Sequence, residues 1–371
     1  MSQPDTAHTA EEQNMERLLE EPAEPALTWE DPELTAQEKV LHGLHLVEFF
    51  AGNITEYDPK REDFIYTRFC SFNLAFFDLN EESTAMHGPP LEELLMSEMH
   101  LMPSSSVNII SLKIIESDVG YPVDVFGTVI ARDEVDYKCV YLFRRGRNDS
   151  QRICSPEDML TLTVPRRGFG VTDTMIFEIN LKIRGDTSVD DKDFSKGVIE
   201  HCSVQHFTSM RPVAHLLTSW RSTVELLCSQ VAWPVGATIK VNIMNGPCDV
   251  PFNGKISAWT VGNVHHHIIL YEYNGRTGTC SPALIEHDGS IVLARSFVAV
   301  PVPSLDNMHH LQEDEEEEED IVLYVCFISG SNEDERTIVT LRFPEEETVC
   351  NNGYYELRVK VSWTTIYYNI Y

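Results

Sequence analysis

From about Val107 onward the chain reads as short runs rich in Val, Ile, Thr and Tyr, broken by Gly, Pro, Asn and Asp, which is the pattern of strands joined by turns. Fourteen runs qualify: 107–116, 121–132, 137–144, 159–163, 173–184, 196–201, 222–231, 236–243, 254–262, 266–273, 291–302, 321–329, 336–343 and 354–364. Within Met175–Ile183 the alternation is strict, with Phe177, Ile179, Leu181 and Ile183 on one face and Glu178, Asn180 and Lys182 on the other. One apolar and one wet face is the habit of antiparallel sheets. Asn-Gly pairs at 245/246, 253/254, 274/275 and 352/353 supply the positive φ that tight turns require. With almost no helical pattern after residue 106, the chain is predicted to be mainly β: a large antiparallel β-sandwich, or two packed sandwiches divided near Thr208–Arg221.

Ahead of the strands the pattern differs. Residues 1–34 are Glu, Pro, Ala and Thr with few aromatics, too little apolar surface to offset chain ordering, so an acidic disordered tail is expected. Thr35-Ala-Gln-Glu38 is a capping box that opens an apolar stripe at Val40, Leu41, Leu44 and Val47, predicting a helix over 35–50 that ends at Gly52-Asn53. An irregular lead-in then runs to residue 105 and lies against the main body. The parts are therefore 1–34, 35–105 and 106–371.

Charge changes this picture more than length does. The 371 residues hold 59 Asp plus Glu against 28 Lys plus Arg, a net charge of −31. Residues 1–102 carry 22 acids against 5 bases, and Glu313–Asp320 is acidic throughout, so 312–320 reads as a solvated loop and the folded body is close to neutral. Nucleic acid is disfavoured as a partner, and a protein, basic by preference, is favoured. No run approaches the roughly 20 apolar residues of a membrane span, and the polar N-terminus lacks a signal-peptide pattern, which points to the cytoplasm with the nucleus as alternative. Nine cysteines without a CxxC suggest neither a zinc site nor a redox dithiol, and Cys139, Cys228 and Cys326 read as small buried apolar residues.

The strongly specific catalytic motifs are absent, and no motif calls for a cofactor. His265-His266-His267 reads as exposed strand histidines. The loop carrying Asp186, Asp190, Asp191 and Asp193 offers carboxylates of the kind calcium takes. Two basic spots, Arg144-Arg145-Gly-Arg147 with Arg152 and Arg166-Arg167, sit at strand ends and would bind an anion if they converged; the alternative is edge charges that block sheet association.

The strand text also resembles a known family. Tyr121–Asp133, Tyr141–Arg145 with Asn148–Gln151, Leu160–Gly168 and Phe177–Ile183, followed by Ser222–Glu225, Val235–Val241, Phe252–Ala258 and Leu357–Trp363, is similar in order to the grass-expanded domain of unknown function 6598, over about residues 106–366. The resemblance implies a plant protein without an established activity, in a family with some members fused to ribosome-inactivating domains. Depurination of ribosomal RNA would need Glu-Ala-x-Arg on a helix with stacking aromatics around an adenine pocket, whereas the Glu-x-x-Arg here is Glu333–Arg336 in a Gly-Ser-Asn-rich turn.

The reading favoured is a non-catalytic β-sandwich interaction module, linked to defence through the family's fusions. The alternatives are a protein of the rRNA N-glycosidase kind and a calcium- or lipid-binding, C2-like sandwich. If the acidic run masks the basic spots, deleting Glu313–Asp320 will raise retention on heparin at low salt, and unchanged retention rules masking out.

Overall fold

The period-two runs become strands nearly where they are expected. The computed structural model describes residues 35–70, 77–93, 103–163, 167–206, 211–247, 252–273, 285–286, 288–302, 320–330 and 336–366. The expected tail 1–34, the acidic run up to Glu319, the Asn274-Gly275 turn and Arg166 lie outside the described residues. The chain divides into two compact units, one of Met1–Asn53 with Phe72–Phe77, the other of Ile54–Ser71 with Asp78–Tyr371.

In the first unit helix α1 (Ala36–Ile54) begins at the expected capping box. Thr35 N donates to Glu38 Oε2 at 2.8 Å and Glu38 N donates to Thr35 Oγ1 at 3.3 Å. The Thr35 hydroxyl also holds the Glu38 carboxyl below its usual range. The helix runs past Gly52-Asn53, and Val40, Leu41 and Leu44 stand exposed on it. Among the described residues no helix is long and apolar enough to cross a membrane.

The second unit holds a hairpin of β1 (Thr55–Asp58) and β2 (Asp63–Tyr66) and then two sandwiches. The first sandwich uses β3 (Ser105–Ser117), β4 (Val123–Arg132), β5 (Val140–Arg145), β6 (Gln151–Ile153), β7 (Thr174–Ile183), β8 (Lys192–Cys202), β9 (Val213–Ser219) and β10 (Ser222–Ala232). Its sheets, ordered β3-β10-β9 and β5-β4-β7-β8 with β6 beside β4, share a core that includes Leu112, Ile114, Val129, Phe177, Ile179, Val224 and Leu226. The second uses β11 (Pro234–Asn245), β12 (Gly254–Thr260), β13 (Ile268–Tyr273), β14 (Phe297–Pro301), β15 (Val322–Ser329), β16 (Arg336–Arg342), β17 (Glu347–Asn352) and β18 (Tyr355–Thr365). Its sheets, ordered β14-β11-β18-β17 and β13-β12-β15-β16, close on a separate core that includes Val241, Phe252, Leu270, Phe327 and Leu357. All named strand pairs are antiparallel. Asn352-Gly353 makes the tight turn from β17 to β18, with Gly353 at φ 58° and Asn352 paired with Tyr355. The cores divide at Trp233, between β10 and β11, rather than within 208–221: β9 pairs with β10 and places Leu217 in the first core.

One face expected to be wet is covered. Glu178 on β7 is 2% exposed. Its Oε1 accepts from Arg132 Nε at 2.6 Å and from the Phe69 amide at 2.9 Å, and its Oε2 accepts from Arg68 Nε at 2.6 Å. Leu79 O accepts from both arginines and from Cys139 Sγ. Arg68, Phe69 and Leu79 of the lead-in therefore lie on the outer face of the first sandwich, and the lead-in is also held where buried Asp58 accepts from the Trp220 amide at 3.0 Å and where Lys196 meets Glu56 at 2.8 Å. Glu178→Ala will leave Arg132 buried without its counter-charge and is expected to lower unfolding free energy by about 3–5 kcal/mol in a denaturant titration. A loss within about 0.5 kcal/mol, the range of an ordinary surface change, would show that the cluster carries no stability.

Candidate functional site

The two sandwiches meet through polar side chains that bond to the other sandwich's backbone. Asn108 on β3 donates from Nδ2 to Ala299 O at 2.7 Å, and its Oδ1 accepts from Ala299 N on β14 at 2.9 Å, satisfying a strand edge as another strand would. Arg295, just before β14, donates from Nε to Ile269 O on β13 at 2.8 Å, from Nη1 to Ile109 O at 2.6 Å and from Nη2 to Ile110 O at 3.2 Å. Among the described residues it has no carboxylate partner, and burial pulls its pKa down to about 10. Three carbonyl dipoles supply the charge-assisted bonds that make an unpaired buried guanidinium tolerable. Val231, Phe297, Ala299 and Ile366 add a small apolar seam.

Beside Arg295 a cleft of about 630 Å³ opens between the sandwiches. Ile110, Leu160, Leu162 and Ile269 line it together with Tyr271 and Tyr273, and the charged lining includes Arg145, Arg152, Lys255, Glu157 and Glu272. Arg145 is paired with Asp149 at 3.3 Å and Arg152 with Asp124 at 3.6 Å. Glu157 and Glu272 are exposed and have no ion-pair partner among the described residues. A space of this size, apolar with a few fixed polar groups and set between two folded bodies, has the ordinary form of a binding site.

Among the described residues the basic spots singled out in the sequence do not gather into one anion pocket; Arg166 lies outside them. Arg144 bonds Glu82 at 2.6 Å and lies over the Tyr141 ring at 4.3 Å. Arg147 bonds Asp191 and, at 2.7 Å, Gly185 O. Arg167 is buried against Asp133, with contacts of 2.5 and 2.9 Å. Of the arginines in the two basic spots, Arg145 and Arg152 reach the cleft. Asp190 accepts from Thr187 Oγ1 at 2.6 Å, which holds its carboxyl below the usual range. Asp191 takes Arg147 and the Gly185 amide, and Asp193 lies 3.3 Å from Lys196. Asp186 lies exposed, and the four aspartates form no ligand group of three or more among the described residues.

His265-His266-His267 sits in the turn before β13 rather than on a strand: His266 N bonds Asn263 O, and His267 stacks on Trp259 at 4.2 Å. Glu333 is outside the described residues, while Arg336 opens β16.

One group went unseen in the sequence. His201 on β8, His215 on β9 and Cys228 on β10 bring one ligand atom each to within 4.8 Å of one another. Their spacing along the chain matches no metal motif, because each comes from a different strand and the pairing of β9 with β10 is what assembles them. Strand β9 carried no alternation by which its register could have been read.

Together these features define a protein of two stacked antiparallel β-sandwiches with a cleft at their joint. The chain belongs to the family described as domain of unknown function DUF6598, whose sequence profile matches residues 106–361. No curated protein matches it. Among solved structures it is similar to human GIVD cytosolic phospholipase A2, alone and in complex with methyl gamma-linolenyl fluorophosphonate. Both likenesses have 8% identity and cover 70% of this chain, but they span about a third of those chains (33% and 32%) with TM-scores of 0.21 and 0.19, too low to bear on fold or function.

Because Asp190, Asp191 and Asp193 already serve partners within the chain, excess calcium is expected to leave the melting temperature unchanged. A calcium-dependent rise that Asp191→Asn abolishes would show the loop to be a calcium site.

Proposed function

We propose that this chain is a non-catalytic β-sandwich interaction module whose recognition surface is the cleft between the sandwiches, and that its occupant is an extended basic and apolar segment of a partner protein. The observation that carries the reading is the cleft itself, about 630 Å³, lined by apolar residues interleaved with charged ones and with Glu157 and Glu272 uncommitted. Apolar residues of the segment fit against Ile110, Leu160 and Ile269, and its cations pair with the two glutamates. The chain's charge of −31 favours encounter with such a segment and speeds association more than it adds affinity.

The setting proposed is the cytosol or nucleus of a plant cell. It is supported by Cys70, Cys139, Cys154, Cys202, Cys228, Cys326 and Cys350, which are free thiols of the kind a reducing compartment maintains. A role in defence rests on the family's fusions to ribosome-inactivating domains.

The test is a peptide array of short basic, leucine- and valine-containing segments probed with the full chain, followed by affinity measurement on the best binder. Reversing Glu157 and Glu272 together to Lys changes exposed positions and is expected to weaken binding at least about tenfold, a loss of about 1.4 kcal/mol. An array without binders, or affinity indifferent to both reversals, would refute the cleft as the recognition surface.

A further inference from the structure

His201, His215 and Cys228 converge where the two sheets of the first sandwich meet at a corner. Cys228 and Leu226 are two apart on β10, and Leu226 pairs across the ladder with His215, so Cys228 and His215 are diagonal neighbours on one face. His201 reaches them from the end of β8 in the opposite sheet, just before the helical turn Ser203–His206. Its Nδ1 lies 3.0 Å from His215 Nε2 and 3.6 Å from Cys228 Sγ. Tetrahedral zinc, with bonds of about 2.0–2.1 Å to nitrogen and about 2.3 Å to sulfur, sets its ligands about 3.3 Å apart for two nitrogens and about 3.6 Å apart for nitrogen and sulfur. The two separations from His201 already stand near those values, and the third pair of donors lies within 4.8 Å.

The surroundings suit a cation. His201 and Cys228 are fully buried and His215 is half-buried, so the donors are shielded while one ring stays open to solvent. Burial, then His215 and His206, favour the neutral imidazole at His201, while burial pushes the Cys228 thiol up to about 12, so that its proton leaves only as a metal arrives. Gln230 approaches His201 without completing a hydrogen bond of ordinary geometry. Its amide is fixed by Ser203 Oγ at 2.7 Å, and Ser203 is fixed in turn by Ser105 at 2.7 Å. Such an outer layer orients a ligating ring. The His206 ring stacks on His201 at 5.3 Å and lies near enough to the half-buried His215 to disfavour its charged form.

We propose that His201 Nδ1, His215 Nε2 and Cys228 Sγ form a three-ligand metal centre for a borderline-soft d10 cation, zinc(II) or copper(I), with a fourth position open. Two imidazoles and a thiolate select such ions over calcium and magnesium, which take oxygen ligands. As the metal binds, the Cys228 thiol releases its proton to solvent, the hydrogen bond between the imidazoles opens, and the ring that donated it keeps its proton on its other nitrogen.

The test uses the full chain, stripped of metal and kept reduced. Cobalt(II), a spectroscopic stand-in for zinc, is expected to bind with a thiolate-to-metal charge-transfer band that zinc displaces. Competition with chromophoric chelators measures zinc(II) and copper(I) separately. Cys228→Ser should abolish the band, and His215→Ala should weaken binding at least about 100-fold. Gln230→Ala should weaken it by about tenfold, the cost of losing an orienting partner. Circular dichroism of the metal-free variants establishes that they fold, and Cys154→Ser, at an exposed thiol elsewhere, should leave binding intact. The proposal is overturned if neither ion binds the folded chain, or if the cobalt band persists in Cys228→Ser.

Discussion

The joint between the sandwiches rests on a positive charge that no carboxylate among the described residues answers. Arg295 reaches three backbone carbonyls, two on β3 and one on β13, and so belongs to both bodies at once. Guanidinium presents its donors in a fixed planar fork, so three simultaneous bonds restrict both the rotation and the separation of the two strands. An apolar seam alone would leave the sandwiches freer to slide, because burial is indifferent to direction. Asn108 completes the restriction by pairing with both backbone groups of Ala299. The cleft is the space left over once these contacts set the angle, and Arg295 forms part of its wall.

A second buried charge obeys the opposite rule. Glu178 is a carboxylate with more than enough partners, two guanidiniums and an amide, and it gathers the lead-in onto the sheet face. Both charges sit where chain segments of distant sequence have to be brought to one place. Directional bonds do this better than apolar contact, since a lost bond to a buried charge costs far more than a shifted methyl group. Between these two points the cores are conventional, with apolar side chains alternating inward along each strand.

What the sequence made legible follows from the same division. Runs such as 236–243 and 354–364 became β11 and β18 because burial on one face leaves its mark on every second residue. Strand β17, Glu347–Asn352, was missed because an edge strand with mostly polar residues leaves no such mark. The run 159–163 has the expected buried Leu160 and Leu162 but forms no strand: Leu160 N bonds Leu112 O on β3, whereas Thr163 N bonds Leu142 O on β5. The run 291–302 yields a strand only at Phe297–Pro301, because the residues before it carry Arg295 into the joint. Glu178 looked like a wet-face residue because alternation reports which residues share a face and is silent about what covers that face. The histidine and cysteine donors were invisible for a related reason, since their proximity exists only after three strands have found their register.

The Glu178 cluster also bears on where the folding unit begins. The family profile starts at residue 106, yet the carboxylate at the centre of its first sheet is satisfied by Arg68 and by the Phe69 amide, well upstream of that boundary. Arg132 and Glu178, both inside the profile, would still pair without the lead-in, but the outer half of the carboxylate would face water and the sheet would need another cover. A domain cut at residue 106 would therefore need another donor for the Glu178 carboxylate, or an apolar residue in its place, to keep that sheet face covered. The matched region thus draws on a segment that the profile leaves out.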